Sequence, residues 1–127
     1  MKLLHVLIVE NHADTAKYLQ LYLSETGHQV DVVSTLTGGI AALSGKNYEV
    51  VISDLGLPDG TGWDLLKATA HQPPLLAIAI SGYGTSNDRK RSRQAGFHFH
   101  LLKPFNLDEI DHAFREAEAQ TALPVGT

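Results

Sequence analysis

Short apolar runs alternate with segments of helical periodicity along this chain. The apolar runs are Leu3–Val9, Val30–Ser34, Val50–Ser53, Leu75–Ile80 and Phe97–Leu102. The first, third and fourth runs are nearly continuous rather than alternating, which is typical of strands that are covered on both faces. The pattern therefore predicts five strands in a sheet that has helices on both sides.

The segments between and after these runs favour helices. The predicted helices are Asp14–Thr26, Leu36–Ser44, Gly62–Ala70, Ser86–Ala95 and Leu107–Glu118. Gly27 suits a left-handed cap after the first helix, and Asn106 is a good N-cap for the last. Strand and helix alternate five times, which predicts a single α/β domain with a doubly wound parallel sheet.

Four of the predicted strands end on polar or charged residues. These residues are Glu10, Asn11, Asp54, Ser81 and Lys103. In a parallel sheet with helices on both faces, the loops at the carboxyl ends of the strands carry the chemistry. We therefore expect all five side chains to converge on one edge of the sheet.

The five groups together suit phosphoryl transfer. Two carboxylates and an amide offer the oxygen ligands that Mg²⁺ prefers, a hydroxyl can donate to an anionic oxygen, and an ammonium can neutralise a phosphoryl group. The sequence contains neither GxxxxGK[ST] nor GxGxxG, so no motif here would hold a nucleotide. The phosphoryl group would then come from another protein or a small donor.

Asp54 is the predicted acceptor, because a carboxylate can form an acyl phosphate and Asp54 follows the strand that we expect to be the most buried. It is followed by the loop LGLPDGTG, in which Pro58, Gly60 and Gly62 favour a tight return of the chain. Such a loop can present a backbone carbonyl, for example that of Gly56, to a metal ion.

Composition narrows the function classes further. The chain has 127 residues, 43% of them hydrophobic and 19% charged, which suits one globular domain. It has no cysteine, so a disulfide or a cysteine-ligated metal is excluded. A formal net charge of −4 argues against direct nucleic-acid binding by the domain.

No apolar run reaches the roughly 18 residues of a membrane span, and the N-terminus does not match a signal peptide. We expect a cytoplasmic protein.

From about Leu3 to Glu118, the chain resembles a response-regulator receiver domain, the phosphoacceptor domain of two-component systems. VLIVEN resembles the acidic pair of the family's first strand, and SDLGLPDGTG resembles its phosphoacceptor loop. ISG resembles the Ser/Thr and small residue of the fourth strand, and LLKPF resembles the Lys-Pro of the fifth. The four motifs occur in the family's order. The resemblance implies the flavodoxin-like strand order 2-1-3-4-5, with a receiver domain over residues 1–120 and a tail or linker start at 121–127.

The resemblance also implies a role for each matching residue. Asp54 accepts a phosphoryl group from a histidine of a sensor kinase or phosphotransfer protein, Lys103 pairs with that group, and Ser81 turns to bond it. The implied Mg²⁺ ligands are Glu10, Asn11, Asp54 and the carbonyl of Gly56. His100 takes the place of the aromatic switch residue, and the peptide between Lys103 and Pro104 is expected to be cis. The implied output is an altered contact with an output domain or a second copy, through the face from the fourth to the fifth helix.

Two residues depart from the family pattern. The family usually has Asp where this chain has Asn11, so we expect weaker Mg²⁺ binding; alternatively, Asn11 caps the first helix, and both can hold. The switch position is usually Tyr or Phe, and His100 is either the switch or a half-exposed strand residue.

Gly56 and Tyr83 occupy positions that, in the family, tune the lifetime of the phosphate. The basic run RKRSR at 89–93 is either a solvated helix face or part of a partner contact.

Two other functions are alternatives to a receiver that accepts phosphate. A pseudo-receiver would keep the fold as an interaction module and no longer cycle phosphate, and Asn11 is the feature that supports it. A flavodoxin-like binder of FMN would need a phosphate loop after the first strand, but this chain has the acidic ENHAD there. The receiver is therefore the preferred hypothesis, as a phosphoacceptor switch and not a turnover enzyme.

Overall fold

Five strands and five helices alternate along the chain in a computed structural model, which describes residues 3–82 and 84–122, with side chains through Ala119. The strands are β1 (His5–Val9), β2 (Gln29–Val33), β3 (Val50–Asp54), β4 (Leu76–Ser81) and β5 (Phe99–Leu102). The helices are α1 (Ala13–Glu25), α2 (Leu36–Gly45), α3 (Gly62–Ala68), α4 (Ser86–Ala95) and α5 (Leu107–Ala122). A short antiparallel hairpin pairs Gly56–Leu57 with Gly60–Thr61 between β3 and α3.

The five strands form one parallel sheet in the order β2-β1-β3-β4-β5. This arrangement confirms the predicted doubly wound sheet and the strand order 2-1-3-4-5. β3 lies in the centre, and all five of its residues are buried. The continuous apolar runs therefore arise because the central strands are covered by helices on both faces.

The core consists of two apolar layers, one on each face of the sheet. One layer joins the sheet to α1 and α5 and contains residues such as Ile8, Leu19 and Ile110. The other joins the sheet to α3 and contains Leu7, Val51 and Leu65. Alternate residues of β1 and β3 point into different layers, so each strand anchors helices on both sides.

The structure shifts several predicted boundaries for local reasons. β5 begins at Phe99 rather than Phe97, because the His98 Nδ1 atom accepts a hydrogen bond from the Ala77 N–H at 3.0 Å, where a ladder carbonyl would otherwise lie. α3 ends at Ala68, after which the Thr69 N–H donates to the Leu66 carbonyl and the Ala70 N–H donates to the Lys67 carbonyl.

The C-terminal end of the domain is longer than predicted, since α5 continues to Ala122 instead of ending at Glu118. The domain boundary at residue 120 stays a prediction, and residues 123–127 of the predicted tail lie outside the described residues. In the part of the chain that the structure describes, no helix has both the length and the apolar character needed to cross a membrane.

Candidate functional site

Parallel register brings the predicted polar residues to one edge of the sheet. Val9 pairs with Ser53, so Glu10 and Asp54 follow at the same level on neighbouring strands. Asp54 in turn pairs with Ile80, and Ser81 pairs with Leu102, the residue before Lys103. The Lys103 N–H donates to the Ser81 carbonyl at 2.7 Å, which extends the ladder to the lysine. These four residues therefore meet at the carboxyl ends of β1, β3, β4 and β5, as the sequence predicted.

Asp54 is a buried carboxylate with two close donors. Its residue is only 6% exposed. The Gly56 N–H donates to Oδ1 at 3.0 Å, and the Lys103 ammonium donates to Oδ2 at 3.0 Å. The carboxylate is thus held in place from the loop on one side and from the lysine on the other.

Lys103 lies between the two buried carboxylates. Its Nζ atom is 2.7 Å from Glu10 Oε1 and 3.0 Å from Asp54 Oδ2. Burial alone would lower the pKa of the ammonium, but its contacts with Glu10 and Asp54 outweigh burial and raise the pKa above its ordinary value. The peptide between Lys103 and Pro104 is cis, as the sequence predicted. Lys103 is consequently a fixed positive charge beside Asp54.

Glu10 has a buried oxygen that suits a cation. Among the described residues, the Lys103 ammonium is the close partner of Oε1, at 2.7 Å in an ion pair. Ligand atoms of Glu10, His12 and Asp54 all lie within 4.8 Å of one another. Carboxylate oxygens are ordinary ligands for a divalent cation, so the donor atoms of these residues fit one.

Asn11 lies on the exposed turn between β1 and α1. Its alternative role as the N-cap of α1 was wrong: His12 is the N-cap residue, its side chain makes no capping hydrogen bond, and the helix begins at Ala13. Whether the Asn11 amide binds a metal stays a prediction.

His12 is the residue that sequence reasoning missed. Its Nδ1 atom lies 3.2 Å from Glu10 Oε2 and 3.7 Å from Asp54 Oδ2. Its backbone N–H donates to the same Glu10 oxygen at 3.2 Å, which turns the chain back over the carboxylate. A histidine two residues after a strand-end carboxylate was the available signal, since such a turn can bring both side chains to one side.

The loop after β3 is fixed at both ends. A Cβ on Gly62 would lie 2.7 Å from the Asp54 carbonyl oxygen, so a glycine is required where the chain passes the acceptor. Asp59 lies in the turn of the hairpin, and its carboxylate accepts hydrogen bonds from the Leu36 N–H at 2.7 Å and from the Thr37 N–H and hydroxyl. The Thr37 hydroxyl and these N–H groups lower the pKa of Asp59 to about 2.

The two predicted switch residues lie on neighbouring strands. Ser81 is buried at the end of β4, and His100 is half-buried in β5 opposite Ala79. The His100 Nδ1 atom lies 2.9 Å from the Ser92 hydroxyl of α4. Tyr83, predicted to affect the phosphate lifetime, lies outside the described residues.

A buried chain of hydrogen bonds continues from His100 into α3. The Trp63 indole N–H donates to Ser92 Oγ at 2.9 Å. An indole N–H can only donate, so Ser92 Oγ accepts the hydrogen bond from Trp63. Arg91, from the basic run, stacks 4.0 Å above the Trp63 ring, so part of that run serves helix packing.

Comparison with known proteins agrees with this geometry. The family model described as "Response regulator receiver domain" matches residues 6–115. The transcriptional regulatory protein CusR of Escherichia coli K12 is 36% identical over 110 residues, which cover 83% of this chain and 47% of CusR. The transcriptional regulatory protein KdpE of Mycobacterium tuberculosis is 32% identical over 112 residues, 88% of this chain and 50% of KdpE. The chain thus spans about half the length of these relatives.

Solved structures show the same fold. The CheY-like receiver domain protein of Methanospirillum hungatei JF-1 superposes with a TM-score of 0.82 at 26% identity, over 94% of this chain and 99% of that chain. A second match comes from the co-crystal structure of the Saccharomyces cerevisiae histidine phosphotransfer signaling protein Ypd1 and the receiver domain of Ssk1. It has a TM-score of 0.86 at 19% identity, over 98% of this chain and 94% of that chain.

The predicted family and its signalling function are therefore confirmed, and the FMN-binding alternative is set aside. With the parallel sheet, the cluster of Glu10, Asp54 and Lys103 at its carboxyl edge, and a family match over residues 6–115, this chain belongs to the response regulator receiver domains of two-component systems.

Proposed function

We propose that Asp54 is the phosphoacceptor of this receiver and takes its phosphoryl group from a phosphohistidine. An Asp54 oxygen attacks phosphorus, the bond between phosphorus and the histidine nitrogen breaks, and the imidazole leaves with the electron pair. The product is an acyl phosphate on Asp54. The observation that carries this proposal is the contact of the Lys103 ammonium with both Asp54, at 3.0 Å, and Glu10, at 2.7 Å.

The surrounding groups suit the charge of the transferred phosphoryl group. Lys103 is already beside the attacked carboxylate, so it can neutralise a phosphoryl oxygen with little movement. The Gly56 N–H keeps Asp54 oriented through its 3.0 Å hydrogen bond. We assign Ser81, which is buried at the end of the adjacent strand, as a hydroxyl donor to the phosphorylated state.

A divalent cation, Mg²⁺ in the first instance, belongs to the proposed site. Glu10, Asn11, Asp54 and the carbonyl of Gly56 are the groups that we expect to hold it. When bound, it supplies positive charge that offsets the negative charge of the carboxylates and the phosphoryl oxygens. The protein's own part is to keep two buried carboxylates and the lysine together at one edge of the sheet.

The donor is expected to be a sensor histidine kinase or a histidine phosphotransfer protein. The Ssk1 receiver, whose fold this chain shares, occurs in a complex with the phosphotransfer protein Ypd1. Here, Asp14, Thr15, Tyr18, Pro104 and Phe105 line an open depression that reaches Lys103, and Tyr18 is 49% exposed. We propose that the donor docks on this side of α1 and the loop after β5. A cytoplasmic location stays a prediction.

Phosphorylation is proposed to act on a partner through α4, β5 and α5. Ser81 and His100 lie on the strands next to these helices, so a change at the acceptor can bias the position of α4. The partner is an output domain or a second copy of the chain. The relatives named as transcriptional regulatory proteins are about twice as long as the match, which leaves room for an output domain in those proteins.

Mass spectrometry after incubation with acetyl phosphate and Mg²⁺ tests the acceptor. We expect wild type to gain one phosphoryl group and Asp54→Asn to gain none. Asp59→Asn is the matched control, because it removes a carboxylate from the same loop but leaves the acceptor, and it should be labelled. Failure of wild type to take up phosphate, with a folded circular dichroism spectrum, would overturn the proposal and favour the pseudo-receiver.

A further inference from the structure

His12 places an imidazole nitrogen among the oxygens of the candidate cation site. Nδ1 is 3.2 Å from Glu10 Oε2 and 3.7 Å from Asp54 Oδ2. The His12 side chain is 64% exposed, whereas the Glu10 side chain is 2% exposed. The cluster is therefore buried on its carboxylate side and open on its imidazole side, so an ion and its waters can reach it.

A positive charge already sits among the same three side chains. The Lys103 ammonium is 2.7 Å from Glu10 Oε1, 3.0 Å from Asp54 Oδ2 and 3.3 Å from His12 Nδ1. The three side chains therefore attract positive charge. The ammonium lies between them, so an ion bound by His12 would lie on the exposed, imidazole side of the cluster.

Hydrogen bonds hold the backbone of His12 next to the Glu10 carboxylate. The His12 N–H donates to Glu10 Oε2 at 3.2 Å, and the first turn of α1 begins immediately afterwards with the Ala16 N–H donating to the His12 carbonyl at 3.0 Å. The helix therefore anchors the residue one position before its start, directly above the Glu10 carboxylate.

We propose that His12 Nδ1 is a direct ligand of first-row transition-metal ions at the cation site, so that His12 raises the affinity of this receiver for such ions more than its affinity for Mg²⁺. This inference rests on the cation site of the proposed function and refines its metal. Magnesium favours oxygen ligands, whereas an imidazole nitrogen suits ions such as Co²⁺, Ni²⁺ and Zn²⁺.

Calorimetric titration of tag-free protein with Co²⁺ and with Mg²⁺ tests the ligand. We expect His12→Asn to weaken Co²⁺ binding by about tenfold or more, since even outer partners of metal ligands contribute on this scale. Mg²⁺ affinity should change little. His71→Asn, an exposed histidine in the turn after α3, is the matched control and should bind both ions as wild type does.

Proton NMR of the Co²⁺ form gives a readout that does not depend on activity. A coordinated imidazole should show a strongly shifted exchangeable N–H resonance in wild type and His71→Asn, and this resonance should be absent in His12→Asn. Its persistence in His12→Asn, or an equal loss of affinity for both ions, would overturn the inference.

Beryllofluoride uptake with Mg²⁺, followed by ¹⁹F NMR, separates this inference from the proposed function. Uptake by His12→Asn together with loss of the Co²⁺ signal supports both proposals. Uptake with unchanged Co²⁺ binding overturns the role of His12 alone. Lack of uptake by wild type, with Co²⁺ still bound through His12, overturns the phosphoacceptor proposal alone.

Discussion

His28 is a buried histidine at the start of β2, on the edge of the sheet opposite the candidate site. Its Nδ1 atom accepts a hydrogen bond from the Leu4 N–H at 3.0 Å, and its ring packs 5.3 Å from that of Phe114. Burial lowers the pKa of His28, although Glu118 and Glu49 oppose the shift. The neutral ring is therefore the form that the folded chain favours.

We predict that this histidine makes the domain less stable in mild acid. In the unfolded chain, the His28 imidazole takes up a proton near pH 6.5, whereas in the folded chain it does so only at lower pH. The free energy of unfolding therefore falls as the pH decreases below about 6.5. At higher pH, His28 is neutral in both states, and its contribution to the free energy of unfolding is fully present. Urea denaturation at pH 7.5 and 5.5 measures the difference.

His28→Asn is the matched variant for this prediction. The asparagine carbonyl can accept from the Leu4 N–H but does not titrate. The loss of stability between pH 7.5 and 5.5 should be smaller in the variant than in wild type. An equal loss in both proteins would assign the acid sensitivity to other groups.

Helix α2 shows how one element depends on its neighbours. Its N-terminus is held by the Thr35 hydroxyl, which accepts from the Gly38 N–H at 2.9 Å, and by the Asp59 carboxylate from the acceptor loop. Gly39, inside this helix, has a packing reason. A Cβ on buried Gly39 would lie 3.0 Å from Leu65 Cδ1 and 3.3 Å from Val9 Cγ2.

Two alanine substitutions in α2 should therefore have opposite effects. Gly45→Ala, where a Cβ would meet nothing within 4 Å, should stabilise the domain by roughly 0.5–1 kcal/mol because alanine restricts the unfolded chain. Gly39→Ala gains the same propensity but must displace Leu65 and Val9, and we expect net destabilisation. Urea denaturation of both variants measures the two signs. Stabilisation by Gly39→Ala would show that α2 can move away from the sheet at little cost.

Across the whole molecule, a short hydrogen-bonded path joins the candidate switch to helices α4 and α3. It runs from His100 in β5 through Ser92 in α4 to Trp63 in α3, by two hydrogen bonds of 2.9 Å. The Trp63 side chain is the single tryptophan of the chain. Its fluorescence can therefore report on the packing of α3 against α4 without added labels.

We predict that beryllofluoride changes the emission of Trp63. A shift of His100 or α4 on activation would alter the hydrogen bond from the indole N–H to Ser92 and the contact of Arg91 with the ring. Ser92→Ala should reduce the response, because it removes the connecting hydroxyl. Ser86→Ala, at the exposed start of the same helix, is the control and should respond as wild type does. Equal responses in both variants would mean that α4 moves independently of this path.

Local patterns along the chain predict much of the architecture. Continuous apolar runs, helical periodicity and caps such as Gly27 and Asn106 depend on residues close in sequence, and they led to the correct elements and sheet class. Residues at strand ends could also be predicted to converge, because parallel strands in one sheet end at the same edge. Glu10, Asp54, Ser81 and Lys103 were found in this way.

Only the tertiary structure decided which side chains meet in detail. The contact of His12 with Glu10 and Asp54 depends on how the backbone turns after β1, and residue spacing does not determine the direction of that turn. Trp63, Ser92 and His100 come from three separate elements, and nothing in a basic run such as RKRSR distinguishes its one buried serine. The sequence alone determined the elements and the edge of the sheet where the chemistry lies, since both follow from local periodicity. The partners of each side chain depend on packing between distant segments, which only the folded chain settles.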